Sequence, residues 1–127
     1  MKDFLYIFIG GGTGSVLRYI ISMLWQHVSL HPKCEGVVFP WATFVANIVG
    51  CLLIGVFYQY SERWGLSIEA RLLLTTGLCG GFTTFSTFSY EGVALLNAGY
   101  YTTYVLYVIL SIALGLVMAA LPLLLAK

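Results

Sequence analysis

Near the middle of the chain, the run Thr75-Thr76-Gly77-Leu78-Cys79-Gly80-Gly81-Phe82-Thr83-Thr84-Phe85-Ser86-Thr87-Phe88-Ser89 sets glycines and hydroxyl side chains among apolar neighbours. Glycine costs a helix interior about 1 kcal/mol relative to alanine, so this run is a poor recipe for an unbroken helix. The pair Gly80-Gly81 is the expected point of unwinding. Unwound backbone frees carbonyl oxygens and amide hydrogens from their intrahelical partners. The oxygens suit a hard cation such as Na⁺, whereas the amides and hydroxyls suit a small anion. Phe85 and Phe88 stand three apart, on roughly one face of the helix that follows. A phenyl ring is positive at its edge, so edge-on rings can favour an anion while keeping the surroundings dry. Phenylalanines at this spacing are also ordinary helix packing, and only their polar context lifts them above it.

Two further polar pairs lie in apolar segments. Thr43 and Asn47 are four apart and project from one helix face, as do Tyr107 and Ser111. A lone asparagine in such a segment serves as interhelical glue worth about 1 kcal/mol. Two pairs on separate segments read instead as a polar track. Two ionisable side chains join them, Arg18 and Glu91. Each has a plain structural alternative: Arg18 snorkels or caps carbonyls of a neighbouring helix, and Glu91 reaches an interface.

The elements that must carry these residues follow from composition. Of 127 residues, 60% are hydrophobic and 9% are charged. Soluble domains carry about 25% charged residues. Six Lys or Arg and five Asp or Glu are too few to cover a soluble surface, so the chain belongs in a bilayer. A membrane-spanning helix takes roughly 20 apolar residues, which leaves room for four spans and short loops. The expected spans are residues 4–25, 41–60, 68–98 and 101–126, with a break in the third near 77–84. Four helices alone enclose a polar path poorly, so size by itself predicts oligomerisation. Pro40 suits the first turn of the second span, and Asn97-Ala98-Gly99 makes a tight connector that sets the last two spans antiparallel. Lys2, Arg63, Arg71 and Lys127 fall on one side and Lys33 on the other, a lean towards cytoplasmic termini.

Several functions are excluded. A net charge of +1 leaves no basic patch for nucleic acid. Gly10-Gly11-Gly12-Thr13-Gly14-Ser15 fails the dinucleotide-binding register, and no Gly-Lys-Ser/Thr follows it. Its Gly10/Gly14 and Gly11/Ser15 spacings, like Ala46/Gly50 and Cys51/Gly55, are those of close helix approach. Cys34, Cys51 and Cys79 match no zinc spacing, and no catalytic triad is present, so the chain is not expected to be an enzyme.

The segment Gly80-Gly81-Phe82-Thr83-Thr84-Phe85-Ser86-Thr87-Phe88 closely resembles the signature of the bacterial fluoride channel family, called Fluc or CrcB. So does Ile9-Gly10-Gly11-Gly12-Thr13-Gly14-Ser15-Val16-Leu17-Arg18-Tyr19, and Asn47 falls where that family has its pore asparagine. The likeness covers essentially the whole chain. It implies an all-α membrane protein with four transmembrane helices, the third broken, paired as an antiparallel dual-topology homodimer. It implies two fluoride pores lined by both subunits, and a structural Na⁺ at the dimer interface held by the backbone carbonyls of Gly80 and Thr83. On this resemblance Phe85 and Phe88 are pore rings. Thr43, Asn47, Thr87, Tyr107 and Ser111 form the polar track, Arg18 lies near a vestibule, and Glu91 lies near the track. The implied role is passive export of fluoride across the bacterial inner membrane, with fluoride, lipid and a second copy of the chain as partners. The charge lean is in tension with insertion in both orientations.

Two rival readings remain. A small four-helix multidrug transporter also works as an antiparallel pair, but needs a titratable carboxylate deep in a span. Asp3 lies at the edge of the first span, and only Glu91 is available. A non-transporting helper subunit has little use for a hydroxyl-rich interruption. The broken third span separates both rivals from the channel reading.

Overall fold

The computed structural model describes residues 1–29 and 39–127. His31, Pro32, Lys33, Cys34 and Glu35, from the first polar stretch, lie outside the described residues. The described chain is helical throughout: α1 (Lys2–Ser29), α2 (Trp41–Tyr60), α3 (Ile68–Leu72), a π-helical stretch (Leu73–Cys79), α4 (Gly80–Phe82), α5 (Phe85–Asn97) and α6 (Tyr101–Leu125). Among the described residues, three helices are long and apolar enough to cross a membrane: α1, α2 and α6. In their most apolar windows only 11%, 17% and 11% of residues are buried within the chain. The rest of that apolar surface requires lipid or another protein surface.

The buried core is small. Phe44, Leu95 and Tyr107 form one cluster of it, with Phe39, Trp41, Ile48, Phe88, Tyr104 and Leu114 packed around them. Phe39 meets Tyr107 edge-on at 5.3 Å and Phe44 edge-on at 5.2 Å between ring centroids. This cluster ties α2, α5 and α6 together. The turn from α5 to α6 is closed by Gly99 at φ 84°, a conformation that glycine adopts without steric cost. There the Tyr100 amide donates to the Leu95 carbonyl and the Gly99 amide to Leu96, which satisfies the last carbonyls of α5. The tight antiparallel connector expected at Asn97-Ala98-Gly99 is this turn.

On the other flank, α1 meets the π-helical stretch and α4 backbone to backbone. A Cβ on Gly10 would strike the Leu73 carbonyl, and one on Gly14 would strike the Leu78 carbonyl and the Phe82 amide. From the opposite side, a Cβ on Gly81 would strike the Gly11 carbonyl. Similarly, Gly55 of α2 lies against the Ala119 backbone of α6. Small residues permit such approach where no hydrophobic force acts between helices in lipid.

These contacts correct one expectation. Gly80-Gly81 does not unwind; both residues are helical, in α4. Gly81 is small because α1 lies on it. The helical path is interrupted after α4 instead, at Thr83 (φ −83°, ψ 157°) and Thr84 (φ −151°, ψ 118°), both extended. Branching at Cβ restricts threonine in a helix and favours extended backbone. Thr84 then serves as the N-cap of α5, its Oγ1 accepting the Thr87 amide at 3.2 Å.

Candidate functional site

The two extended residues create an unusual balance of hydrogen bonds. In an unbroken helix the carbonyl of residue i takes the amide of residue i+4. At the interruption, the Thr84 amide donates to Asn47 Oδ1 at 2.8 Å, and Asn47 Nδ2 donates to the Thr84 carbonyl at 3.1 Å. The amide donor of Thr84 fixes which end of the Asn47 side chain is oxygen, so the remaining Nδ2 hydrogen points elsewhere. Thr83 turns back on α4: its amide and its Oγ1 both donate to the Cys79 carbonyl, at 3.0 and 2.9 Å. The Gly81 carbonyl accepts from Arg18 Nε at 3.3 Å and, at 3.5 Å, from Ser15 Oγ. Arg18 therefore caps a carbonyl freed by the interruption, which is the structural alternative considered for it.

Beside the interruption lies an open groove of about 630 Å³. Asn47, Thr75, Thr76, Gly80, Thr83 and Thr84 give it polar edges, and Ile54, Phe85, Phe88 and Ile112 give it apolar ones. Phe85 is 80% exposed. Its ring centroid is 5.9 Å from that of Phe88, which in turn rests 4.9 Å from the Tyr107 ring. The two phenylalanines thus form a line leading from the groove to the core. Ser111 also lines the groove; its Oγ is buried and has no hydrogen-bond partner among the described residues.

At the far end of that line sits Glu91. Thr43 Oγ1 donates to Glu91 Oε1 at 2.8 Å, and Tyr107 OH donates to Glu91 Oε2 at 2.9 Å. Thr43 and Tyr107 are both buried. A hydroxyl has a single proton, so both donors are committed to the carboxylate. The structure thus brings Thr43, Tyr107 and Glu91 into one cluster and Asn47 into another, with Phe88 between them. Thr87 stays with the second cluster, its Oγ1 accepting from Thr84 Oγ1 at 3.1 Å.

Two participants were not singled out in the sequence: Thr84 and Ser15. Thr84 carried a partial signal: threonine is a favoured N-cap residue, but Thr87 stands where the Glu or Gln of a capping box would complete the pattern. Ser15 stood only in a packing pattern.

Among the described residues no cluster of three or more His, Cys, Asp or Glu side chains could hold a metal ion. Backbone oxygen is another donor that a hard cation accepts. The Gly80 and Thr83 carbonyls fit that description. Their helical partners are the Thr84 and Thr87 amides, which donate to Asn47 Oδ1 and to Thr84 Oγ1 instead. Neutral carbonyls freed at a helix interruption suit a monovalent hard cation.

The profile of the CrcB-like protein, Camphor Resistance (CrcB), family matches residues 5–123. A Bacteroides fragilis protein named fluoride-specific ion channel FluC is 52% identical over 118 residues, covering 91% of this chain and 89% of its own. A Phocaeicola vulgatus protein of the same name is 51% identical over 117 residues, covering 91% of both chains. A Flavobacterium psychrophilum protein, again so named, is 45% identical over 128 residues, covering 100% of this chain and 98% of its own.

Proposed function

This chain belongs to the CrcB-like family, and from that premise we propose that it is a passive fluoride channel that exports fluoride from the bacterial cytoplasm through the inner membrane. It is a multi-pass membrane protein and not an enzyme; the relatives are named as ion channels. One observation carries the channel reading: the Thr83–Thr84 interruption, clasped by Asn47, opens onto a mostly apolar groove that Phe85 and Phe88 line beside a few hydroxyl and amide groups.

Fluoride is small and tightly hydrated, so it leaves water only for strong replacement donors. The free Nδ2 hydrogen of Asn47 is one. The edges of Phe85 and Phe88 offer a weaker, dry stage beyond it. Next come the Thr43 and Tyr107 hydroxyls, whose protons Glu91 holds. Passage at that end is an exchange, in which fluoride takes donors that the carboxylate releases. Thr87 and Ser111 flank the same path. Chloride is larger and binds hydrogen-bond donors less strongly, so a narrow path of such donors selects against it. Fluoride that enters as neutral HF at low external pH dissociates inside, and a passive path for the ion suffices to remove it.

A single chain leaves this path open on one side. A second, antiparallel copy set over the groove would enclose it, and two-fold symmetry would make two pores. The Gly80 and Thr83 carbonyls of both copies would then hold the structural Na⁺ at the shared interface, supplying a fixed positive charge between the two anion paths. Arg18 would stay beside the vestibule as the cap of Gly81. The four spans would be α1, α2, α6 and the interrupted run from α3 to α5.

The test is flux. Purified protein in liposomes should release fluoride down its gradient while chloride is retained, measured with ion-selective electrodes. Equal chloride efflux overturns the reading.

A further inference from the structure

The two carbonyls needed for the cation are the two whose amides have been diverted. The Gly80 carbonyl would take the Thr84 amide, and Asn47 Oδ1 holds that amide at 2.8 Å. The Thr83 carbonyl would take the Thr87 amide, and Thr84 Oγ1 holds that one at 3.2 Å. We propose that Asn47 is a positioning residue for the cation: by holding the Thr84 amide it keeps the Gly80 carbonyl free, and the Thr84 hydroxyl does the same for Thr83. The inference rests on the cation site proposed above and says how this chain keeps that site open.

The chemistry explains why an asparagine on another helix is needed. A neutral carboxamide presents an acceptor and a donor side by side, as a peptide group does. Asn47 uses both on Thr84, so the amide and the carbonyl of that extended residue are satisfied together. Nothing within α4 can do this. Gly80 and Gly81 have no side chains, and the Thr83 hydroxyl is already committed to the Cys79 carbonyl at 2.9 Å. At membrane depth no bulk water replaces a lost partner, so an undiverted Thr84 amide would return to the Gly80 carbonyl. That would extend α4 through the interruption and withdraw a ligand. Asn47 also lines the groove proposed as the fluoride path. One side chain therefore couples the anion path to the cation site, and a change made at the pore wall is felt at the cation.

The coupling is read from cation dependence, separately from flux. Thermal unfolding of the full-length protein in detergent is followed while NaCl replaces choline chloride at constant ionic strength. Wild-type protein should be stabilised by Na⁺ with a definable midpoint. Asn47→Leu, similar in size but without an acceptor, should raise that midpoint about tenfold, as expected for the loss of one hydrogen bond's worth of preorganisation. Thr84→Val should likewise raise the midpoint about tenfold, and Thr84→Ser should restore it. If Asn47→Leu does not fold, the Thr84 pair decides. A folded Asn47→Leu or Thr84→Val protein with the wild-type Na⁺ midpoint overturns the inference and leaves the cation reading standing. A wild-type protein with no response to Na⁺ overturns both.

Discussion

The backbone is held in opposite ways on the two sides of the Thr83–Thr84 interruption. Before it, the π-helical stretch and α4 lie against α1 with almost no side chains between them, through Gly10, Gly14, Gly77 and Gly81. After it, α5 is held by side chains: the Thr84 cap, the Phe88–Tyr107 contact, and Glu91 between Thr43 and Tyr107. The first arrangement has no slack, because backbone atoms cannot rotate away from an added atom. The second is adjustable, because rings and hydroxyls can repack or be exchanged. Of the two carbonyls proposed for the cation, that of Gly80 lies on the rigid side and that of Thr83 at the interruption itself. An ion path whose donors must be released in turn belongs on the adjustable one.

The largest expected effect breaks the rigid side. Gly14→Val should destabilise the protein by about 3 kcal/mol or more, because its added atoms meet the Leu78 carbonyl and Phe82 amide. Gly12→Ala is the control: a Cβ there meets nothing within 4 Å. It should leave the melting temperature near wild type. If both variants melt alike, the backbone contact with α1 is not what anchors α4.

Next in size is the adjustable side. Phe85→Ile and Phe88→Ile should each lower fluoride flux about tenfold, the order expected for losing roughly 1 kcal/mol of ring-edge interaction. Their stabilities should differ. Phe88 packs on Tyr107, so its loss lowers the melting temperature, whereas the exposed Phe85 ring can go at little cost. Unchanged flux in both variants removes the rings from the path.

How much of this was legible in the sequence depended on whether a residue's reason lay in its own chemistry or in its neighbour. The scarcity of charge demanded a membrane, and Asn47, Thr43 and Glu91 stood out because they break the rule of an apolar solvent. Glycine weakens a helix, so locally the pair Gly80-Gly81 reads as a helix breaker. Gly81 is small for another reason, the Gly11 carbonyl, which lies 70 residues earlier in the chain. Nothing local announces such a partner. The residues that interrupt the helix, Thr83 and Thr84, stand in a run of hydroxyl residues where nothing local sets a cap apart from its neighbours. Arg18 fell between these cases: its charge marked it, but only the fold shows that it reaches the Gly81 carbonyl.

A smaller effect is expected at Glu91. Glu91→Gln replaces two hydrogen bonds to a charged acceptor with neutral ones, and should lower stability by about 1 kcal/mol. It also removes the resident anion that competes for the Thr43 and Tyr107 protons. The fluoride concentration giving half-maximal flux should then fall about threefold, a difference of well under 1.4 kcal/mol. A rise in that concentration would mean that the carboxylate assists fluoride rather than competing with it.

The smallest change is at Ser111. Its hydroxyl is buried without a partner among the described residues, one turn from Tyr107 on α6. Such a group is a standing cost, so removing it should stabilise the protein by about 1 kcal/mol. The same hydroxyl lines the groove, where a passing fluoride would be its first partner. Ser111→Ala should therefore melt higher and conduct less, the opposite signs expected of a group kept for an ion rather than for the fold. A variant that melts lower would mean that a second copy of the chain supplies the missing partner. Ser111 would then belong with the fixed contacts of the glycine side rather than with the exchangeable donors around Glu91.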